Sequence, residues 1–423
     1  MRHITIQECY DNLVISDTIG EKTITQKEAD ELNKYVVFEK LDRENVIWGR
    51  DTVTFINYVG YIKLSTVDIE ILPKISINKN DPEMSRKALL NMLSRCGILS
   101  VKYSDISSLN IYKMNLNEIL SFLFAQKLQR ELTKGPYQEY VYVEENSDVL
   151  KGSLLVQQHI KNLAACTPKA FCRYEDFSMD NVLNQILSYC VRILITYIKN
   201  PETIKLLRHA QAYFAEVTER ELSNHEIVNY TFNRLNSRFE QVFILAKMII
   251  MGHSSLASVG GEKTYSILFK MNDVFEKYIT KLLSMNLEDS IVHVQHSKYK
   301  LLVNEDTNNS IFRLLPDIVI EKDGVESIII DTKWKRVSSG YNRHGVKRDD
   351  IYQMYAYLTR YPNVKTVILL YPHNEEVERK DKRYLESWYL DNDKSKKIRA
   401  YTIDLESEEI TNKCLNEIIR DIE

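Results

Sequence analysis

Two apolar runs in the last third of the chain, Leu315-Pro316-Asp317-Ile318-Val319-Ile320 and Ile328-Ile329-Ile330-Asp331-Thr332-Lys333, carry groups able to do chemistry. Strand side chains alternate between faces with period two, so Asp331 and Lys333 share a face. Two carboxylates at a strand end hold a hard cation such as Mg²⁺ through oxygen, while phosphate and water fill the remaining positions. Such an ion acidifies a water and neutralises charge on a scissile phosphate, and a second ion can clamp the leaving oxygen. Lys333 would then orient the attacking water or offset developing negative charge as a fixed cation. The chemistry expected of Asp317, Asp331 and Lys333 is therefore Mg²⁺-dependent phosphodiester hydrolysis with one or two ions, Asp317 and Asp331 serving as ligands.

For this to work Asp317 must reach the face of Asp331 from the neighbouring strand. The link Glu321-Lys322-Asp323-Gly324-Val325 carries the Asp-Gly signal of a hairpin. A strict two-residue turn at Asp323-Gly324 pairs Asp317 with Ile330 and sends it to the wrong side. An odd-length loop, such as a type I turn closed by Gly324 as a G1 bulge, restores the match. Glu276, on a helix expected over Val274 to Leu283, is placed to give a third carboxylate ligand. Gln353 and Tyr357, four residues apart, share a helix face after the Asp-x-Lys strand, where they would brace the site or touch DNA backbone. Singly these residues say little: an Asp closing a strand is usually a turn cap, Glu276 reads as an exposed helix residue and Tyr357 as a core aromatic. The joint pattern of Pro-Asp, a strand-length gap, Asp-x-Lys and Gln-x-x-x-Tyr is much rarer. His293, His296, His344 and His373 fall into no ligand spacing and read as structural or surface residues. The chain has no G-x-x-x-x-G-K-[ST] loop, so any NTP-driven step belongs to another subunit.

The elements that must position these residues form three patterns. Over the first ~80 residues strand signals dominate, with one helix opened by a capping box, Thr25-x-x-Glu28, over Gln26 to Tyr35. Val53 to Val59 and Tyr61 to Leu64 flank Gly60, and Val67, Ile69 and Ile71 alternate with Asp68 and Glu70 before Pro73, as in a half-exposed β domain. From Met84 the period is helical, with Ala88, Leu89, Met92, Leu93 and Cys96 on one face and a second helix over Ile119 to Leu132; one strand, Tyr140 to Glu144, interrupts. Gly152 to Gly252 reads as nearly all helix, with Ser178 capping Val182 to Ile198 and Gly252 stopping Phe239 to Met251. Beyond Gly260-Gly261 comes an α/β pattern: helix Tyr265 to Met285, strands Ile291 to Gln295, Tyr299 to Val303, Phe312 to Ile320 and Glu326 to Lys333, helix Asp349 to Tyr361, strands Val364 to Tyr371 and Ile398 to Asp404, and a final helix. Asn374 to Lys397 reads as a charged excursion. The expected class is an α+β multidomain chain: an N-terminal β-rich and helical domain over 1–150, a helical connector over 151–260, and over 261–423 an α/β domain of the PD-(D/E)-x-K restriction-endonuclease type.

At 423 residues the chain has room for two or three domains and more than one core. No stretch approaches the ~18 apolar residues of a membrane span, and the N-terminus lacks the pattern of a secretory signal, so a cytoplasmic protein without membrane partners is expected. Six scattered cysteines without a C-x-x-C pair argue against a zinc ribbon or a disulfide framework. A net charge of −3 does not advertise a nucleic-acid binder, so DNA contact must be local or shared with a partner. Basic runs at Lys333 to Arg336, Lys347-Arg348, Arg379 to Arg383 and Lys394 to Arg399 read first as solvated faces.

Taken together the residues resemble the McrC family, the nuclease component of McrBC-type (5-methylcytosine-specific or related) restriction systems. The likeness runs through Tyr58-Val59-Gly60-Tyr61-Ile62-Lys63-Leu64, the string Ile69-Glu70-Ile71-Leu72-Pro73-Lys74-Ile75, Val149 to Leu154, and Tyr174 to Asn184. It continues in Met271 to Glu276, Leu315-Pro316-Asp317, Asp331-Thr332-Lys333-Trp334-Lys335 and Asp350 to Tyr357. The resemblance implies catalytic roles for Asp317, Asp331 and Lys333, with Glu276 and Gln353 as further members. It also implies a hexameric McrB-like AAA+ GTPase partner, which uses the GTP, recognises DNA and is engaged by the N-terminal domain. The alternatives are a stand-alone PD-(D/E)-x-K nuclease, against which the acidic balance argues, and a non-catalytic activator of an AAA+ motor, against which the intact Asp, Asp and Lys argue.

Overall fold

The computed structural model describes residues 2–75, 81–99, 113–220, 222–254, 265–378, 383–391 and 393–422. The break expected at Gly260-Gly261 and most of the run Arg379 to Arg383 lie outside these residues. The chain packs as two compact units, Met1–Leu116 together with Ser255–Glu423, and Asn117–Ser254. The unit boundaries thus fall at 116/117 and 254/255, where the sequence reading puts them at 150 and 260.

The first unit begins with strands β1 (Arg2–Gln7), β2 (Leu13–Ile15), β3 (Thr23–Ile24), β4 (Val46–Trp48), β5 (Thr52–Phe55), β6 (Tyr58–Lys63) and β7 (Val67–Leu72). One sheet has the order β3-β2-β5-β4; the other runs β1-β7-β6 and is completed by Tyr265–Lys270 from beyond the second unit. The helix Gln26–Phe38 starts on the expected capping box, Thr25 Oγ1 accepting from Glu28 N and Glu28 accepting from Thr25 N. Its Leu32, Tyr35 and Val36 join Leu13, Val53, Phe55, Ile62 and Ile69 in one core. The half-exposed domain expected here is instead covered, because every residue of β6 and β7 is buried and the helix Pro82–Arg95 lies on β7. Glu70, though it alternates with isoleucines, is fully buried and bonded by Arg86 Nε at 2.9 Å and Nη2 at 2.6 Å.

The second unit holds the helix Leu116–Leu132, strands β8 (Glu139–Ser147), β9 (Ser153–Leu154) and β10 (Ala170–Ser178) in the order β8-β10-β9, and helices at Val156–Ala164, Val182–Tyr197, Pro201–Tyr213, Asn224–Val228 and Glu240–Ser254. The nearly all-helical reading of this stretch fails at β10. Phe171, Tyr174 and Phe177 recur at helical spacing, yet nine residues pair antiparallel with β8, and the strand preference of the aromatics is realised by that partner. Asn181 rather than Ser178 caps the long helix, its Oδ1 accepting from Asn184 N at 3.0 Å. Gly252 lies inside the last helix instead of ending it.

Back in the first unit, β11 (Tyr265–Lys270) replaces the first part of the helix expected from Tyr265, and the helix proper is Met271–Asn286. Pairing with β6 decides this: a Cβ on Gly60 would stand 1.9 Å from the Ile267 carbonyl oxygen, so glycine lets the two backbones approach. A six-stranded mixed sheet follows, β12 (Ser290–Val294), β15 (Ile318–Lys322), β16 (Val325–Thr332), β17 (Thr366–Pro372), β19 (Asp393–Ile403) and β18 (Glu386–Leu390) in spatial order. The run expected over Phe312 to Ile320 is split, since β14 (Ser310–Arg313) pairs in a separate hairpin with β13 (Lys300–Val303) and Pro316 cannot donate to a ladder. The charged excursion contributes β18 as an edge strand of the sheet. The helix Arg348–Arg360 packs Met354, Tyr357 and Leu358 on Val319, Ile329, Val367 and Leu369. Met271–Asn286 and the last helix, Glu408–Arg420, pack on each other and on the same sheet.

Candidate active site

The hairpin that brings the two aspartates together solves the register problem differently from the expected G1 bulge. Lys322 pairs with Val325 across a strict two-residue turn in which Asp323 (φ 54°) and Gly324 (φ 78°) are both left-handed, the type I′ combination. The register then shifts between Ile320 and Glu321, leaving Ser327 as the extra residue of β16. Beyond the bulge Ile320 faces Ile328 and Ile318 faces Ile330, so one step further Asp317 stands opposite Asp331. Residues opposite each other in an antiparallel pair share a face, and the bulge thus converts a mismatched hairpin into one with both carboxylates on one side.

Asp331 is fully buried. Lys333 Nζ lies against its Oδ2 as an ion pair, but neither carboxylate oxygen receives a well-aligned hydrogen bond. Burial, reinforced by the charge of Asp317 and only partly opposed by Lys333, pushes the Asp331 carboxyl up to about 7. Asp317 is half-buried and anchored through Oδ2, which accepts from both Thr332 N and Thr332 Oγ1 at 2.8 Å. Lys333 is fixed from three sides. Its backbone N–H donates to Leu370 O at 2.8 Å, its ammonium faces Asp331, and the same ammonium donates to Gln353 Oε1 at 3.0 Å. Burial pulls the Lys333 pKa down, but the charges of Asp331, Asp317 and Asp350 outweigh it and the net shift is upward. Gln353 Nε2 in turn donates to Tyr357 Oη at 2.7 Å, and Tyr357 donates to Leu315 O at 3.0 Å. A continuous chain of bonds therefore runs from the ammonium to the backbone two residues before Asp317.

Glu276 sits near this cluster without bonding to it directly. Gln295 links them, donating its backbone N–H to Asp317 O at 2.9 Å and its Nε2 to Glu276 Oε1 at 3.4 Å. Burial first and the Asp317 charge second raise the Glu276 pKa. Among the described residues no three His, Cys, Asp or Glu side chains stand close enough to ligate one ion. Two carboxylates nevertheless fit a Mg²⁺, which keeps several waters and takes one or two protein oxygens beside those of a phosphate, and the buried Oδ1 of Asp331, which has no hydrogen-bond partner, is the atom that needs one. Three neighbours were not legible in the sequence: Thr332, Gln295, and Asp350, whose carboxylate takes Lys335 Nζ at 2.7 and 2.9 Å. Only the i, i+15 relation of Asp350 to Lys335 hinted at that last pair, and spacing of that kind carries no signal by itself.

A family model described as "McrBC 5-methylcytosine restriction system component" matches residues 53–372, three-quarters of the chain and all five expected site residues. The chain belongs to the McrBC family. Among solved structures, a chain of the refined half-complex from the tetradecameric assembly of Thermococcus gammatolerans McrB AAA+ hexamers with bound McrC superposes with a TM-score of 0.75 at 24% identity, covering 98% of this chain and 100% of that one. A chain of the cryo-EM structure of the Thermococcus gammatolerans McrBC complex gives 0.54 at 27% identity, covering 67% and 88%. No curated protein matches the chain. Among the described residues of this McrBC-family protein no helix is long and apolar enough to cross a membrane, and all six cysteines are free.

Proposed function

We propose that this McrBC-family chain is a McrC-type subunit that hydrolyses DNA phosphodiesters with Mg²⁺ at the Asp317–Asp331–Lys333 cluster, in a PD-(D/E)-x-K domain, while assembled with a McrB-like AAA+ hexamer that consumes GTP. The observation that carries this reading is the bulged register that sets Asp317 opposite Asp331 with Lys333 against them. Asp331 and Asp317 would hold the cation, with Glu276 as an outer carboxylate reached through Gln295. When bound, the cation would acidify a water and draw charge from the phosphate. Lys333, held on Gln353, is aimed at the face where the phosphate would lie and offsets negative charge as it develops there. The chain of Gln353, Tyr357 and Leu315 keeps that ammonium from swinging away. The solved complexes with McrB hexamers support the expected partner, and a cytoplasmic location accords with a restriction system.

The test is to incubate the purified chain with plasmid DNA and Mg²⁺, with and without a McrB-like partner and GTP. Cleavage is expected only in the complete mixture, and lost with EDTA or with Asp331→Ala. Unchanged cleavage by Asp331→Ala would overturn the assignment of the site.

A further inference from the structure

The string Leu72-Pro73-Lys74-Ile75 lies far in sequence from the cluster, yet Lys74 is buried beside it. Lys74 Nζ donates to Trp334 O at 3.0 Å and lies 4.0 Å from Glu8 Oε2, with its side chain only 2% exposed. Glu8, fully buried just after β1, accepts from Trp334 Nε1 at 2.6 Å through Oε1 and from Asn57 N at 2.6 Å through Oε2. Asn57 (φ 64°) then accepts from Met271 N at 2.9 Å through its carbonyl and from Asn272 N at 2.7 Å through Oδ1, which fixes the first turn of the helix bearing Glu276. The Trp334 ring packs edge-on against Phe275 of that helix, 5.3 Å between centroids.

A buried ion pair is an expensive way to fill space, since apolar residues of the same volume pack as well or better. Here its hydrogen-bonding capacity goes to the residue following Lys333 and, through Asn57, to the helix of Glu276. Lys333 is already held on its own N–H by Leu370, so pinning both the carbonyl and the indole of Trp334 leaves the Lys333 backbone little freedom. We propose that Glu8 and Lys74 are positioning residues of the active site, fixing the peptide after Lys333 so that Lys333 and Asp331 hold their places; this rests on the nuclease reading above.

The double variant Glu8→Gln/Lys74→Met removes both charges together and so avoids leaving one stranded, and Trp334→Phe deletes only the indole donor. Both are compared with wild type and Asp331→Ala, as full chains, by thermal melting, by Mn²⁺ titration without DNA, and by cleavage with a McrB-like partner and GTP. The double variant should melt cooperatively within about 5 °C of wild type, keep its KM for DNA within about twofold, and lose about tenfold or more in kcat. A folded double variant with wild-type kcat overturns the proposal. If that variant does not fold, Trp334→Phe decides by the same criterion, a loss of about fivefold or more supporting it and wild-type kcat overturning it. Should wild type bind Mn²⁺ through Asp331 but cut no DNA, the nuclease reading falls and Mn²⁺ affinity becomes the criterion: a tenfold weakening in the variants supports the positioning role and wild-type affinity overturns it. Wild type without Asp331-dependent Mn²⁺ binding overturns both.

Discussion

Asp331 carries its charge where water cannot reach it, and the consequences follow from linkage. Its folded-state value of about 7 lies above the ordinary 3.8, so between these pH values the folded chain keeps a proton that the unfolded chain releases. The metal-free protein should therefore be most stable below about pH 4 with respect to this group and lose a few kcal/mol as pH rises to about 7. Asp331→Asn should flatten that slope in denaturant melts run in EDTA; an identical slope in the variant would show that the burden lies elsewhere. On the proposed function, Gln353 acts at one remove, through the ammonium it holds. Gln353→Leu should lower cleavage roughly 10- to 100-fold while leaving the fold intact, and cleavage at the wild-type rate would detach the Gln353–Tyr357 chain from function. The placement of these residues was legible in the sequence to different depths. Asp331 and Lys333 are fixed on one face by period two alone, and Gln353 and Tyr357 by helical spacing. Thr332 was not, because a residue on the opposite side of the alternation has no sequence signal for bending back to bond Asp317.

At the scale of elements, the bulge at Ser327 decides whether strands of this length put Asp317 and Asp331 on one face. The conflict, that a two-residue turn misplaces Asp317, is legible in the sequence, but the expected resolution lies at Gly324, because glycine announces a bulge and serine does not. Deleting Ser327 would leave Ile318 against Ile330 and Asp317 against Asp331 in a plain ladder, whereas inserting one residue after Ser327, with the single bulge kept, should set Asp317 against Ile330 and abolish cleavage, at a cost to stability that leaves a folded protein. An insertion variant that still cuts would show that the two carboxylates do not need a common face. The same contrast holds for β7. Alternation in Val67-Asp68-Ile69-Glu70-Ile71 correctly announced a strand, but not that a second layer would cover its polar face. Burial alone would raise the Glu70 carboxyl, yet His3 3.6 Å away, the hydrogen bonds and charge of Arg86 and the backbone N–H of Leu116 hold it down to about 2. The stability it contributes is present above the ordinary carboxylate range and lost as pH falls toward 2. Arg86→Met should cost about 3–5 kcal/mol by stranding a buried charge, and Glu70→Gln added to it should recover part of that loss. Equal destabilisation by the single and double variants would mean that the charge is not the cause.

For the molecule as a whole, the order of residues along the chain misled the division into domains, because sequence reading assigns contiguous stretches and the first unit is not contiguous. Its N-terminal sheet is finished by β11, which arrives only after the whole second unit, and Glu8, Asn57 and Lys74 are bonded to residues beyond 270. No period or motif within the first 150 residues records that a strand is missing. A fragment ending at Val149, drawn as a domain by sequence, therefore leaves the buried strand β6 with an open edge opposite Gly60 and strands the Glu8–Lys74 pair without Trp334, and unpaired buried groups of this kind each cost on the order of 1–3 kcal/mol. The second unit, by contrast, contains all three strands of its own sheet and the helices that follow them. Expressed alone, residues 117–254 should show a cooperative thermal transition, while residues 1–149 should melt broadly or aggregate, and appending 265–286 through a flexible linker should recover a cooperative transition in the N-terminal fragment. Circular dichroism melts of the three fragments decide it: a sharp transition in 1–149 by itself would mean that β11 is an accessory strand and that the N-terminal sheets are stable without the half of the chain carrying Asp331.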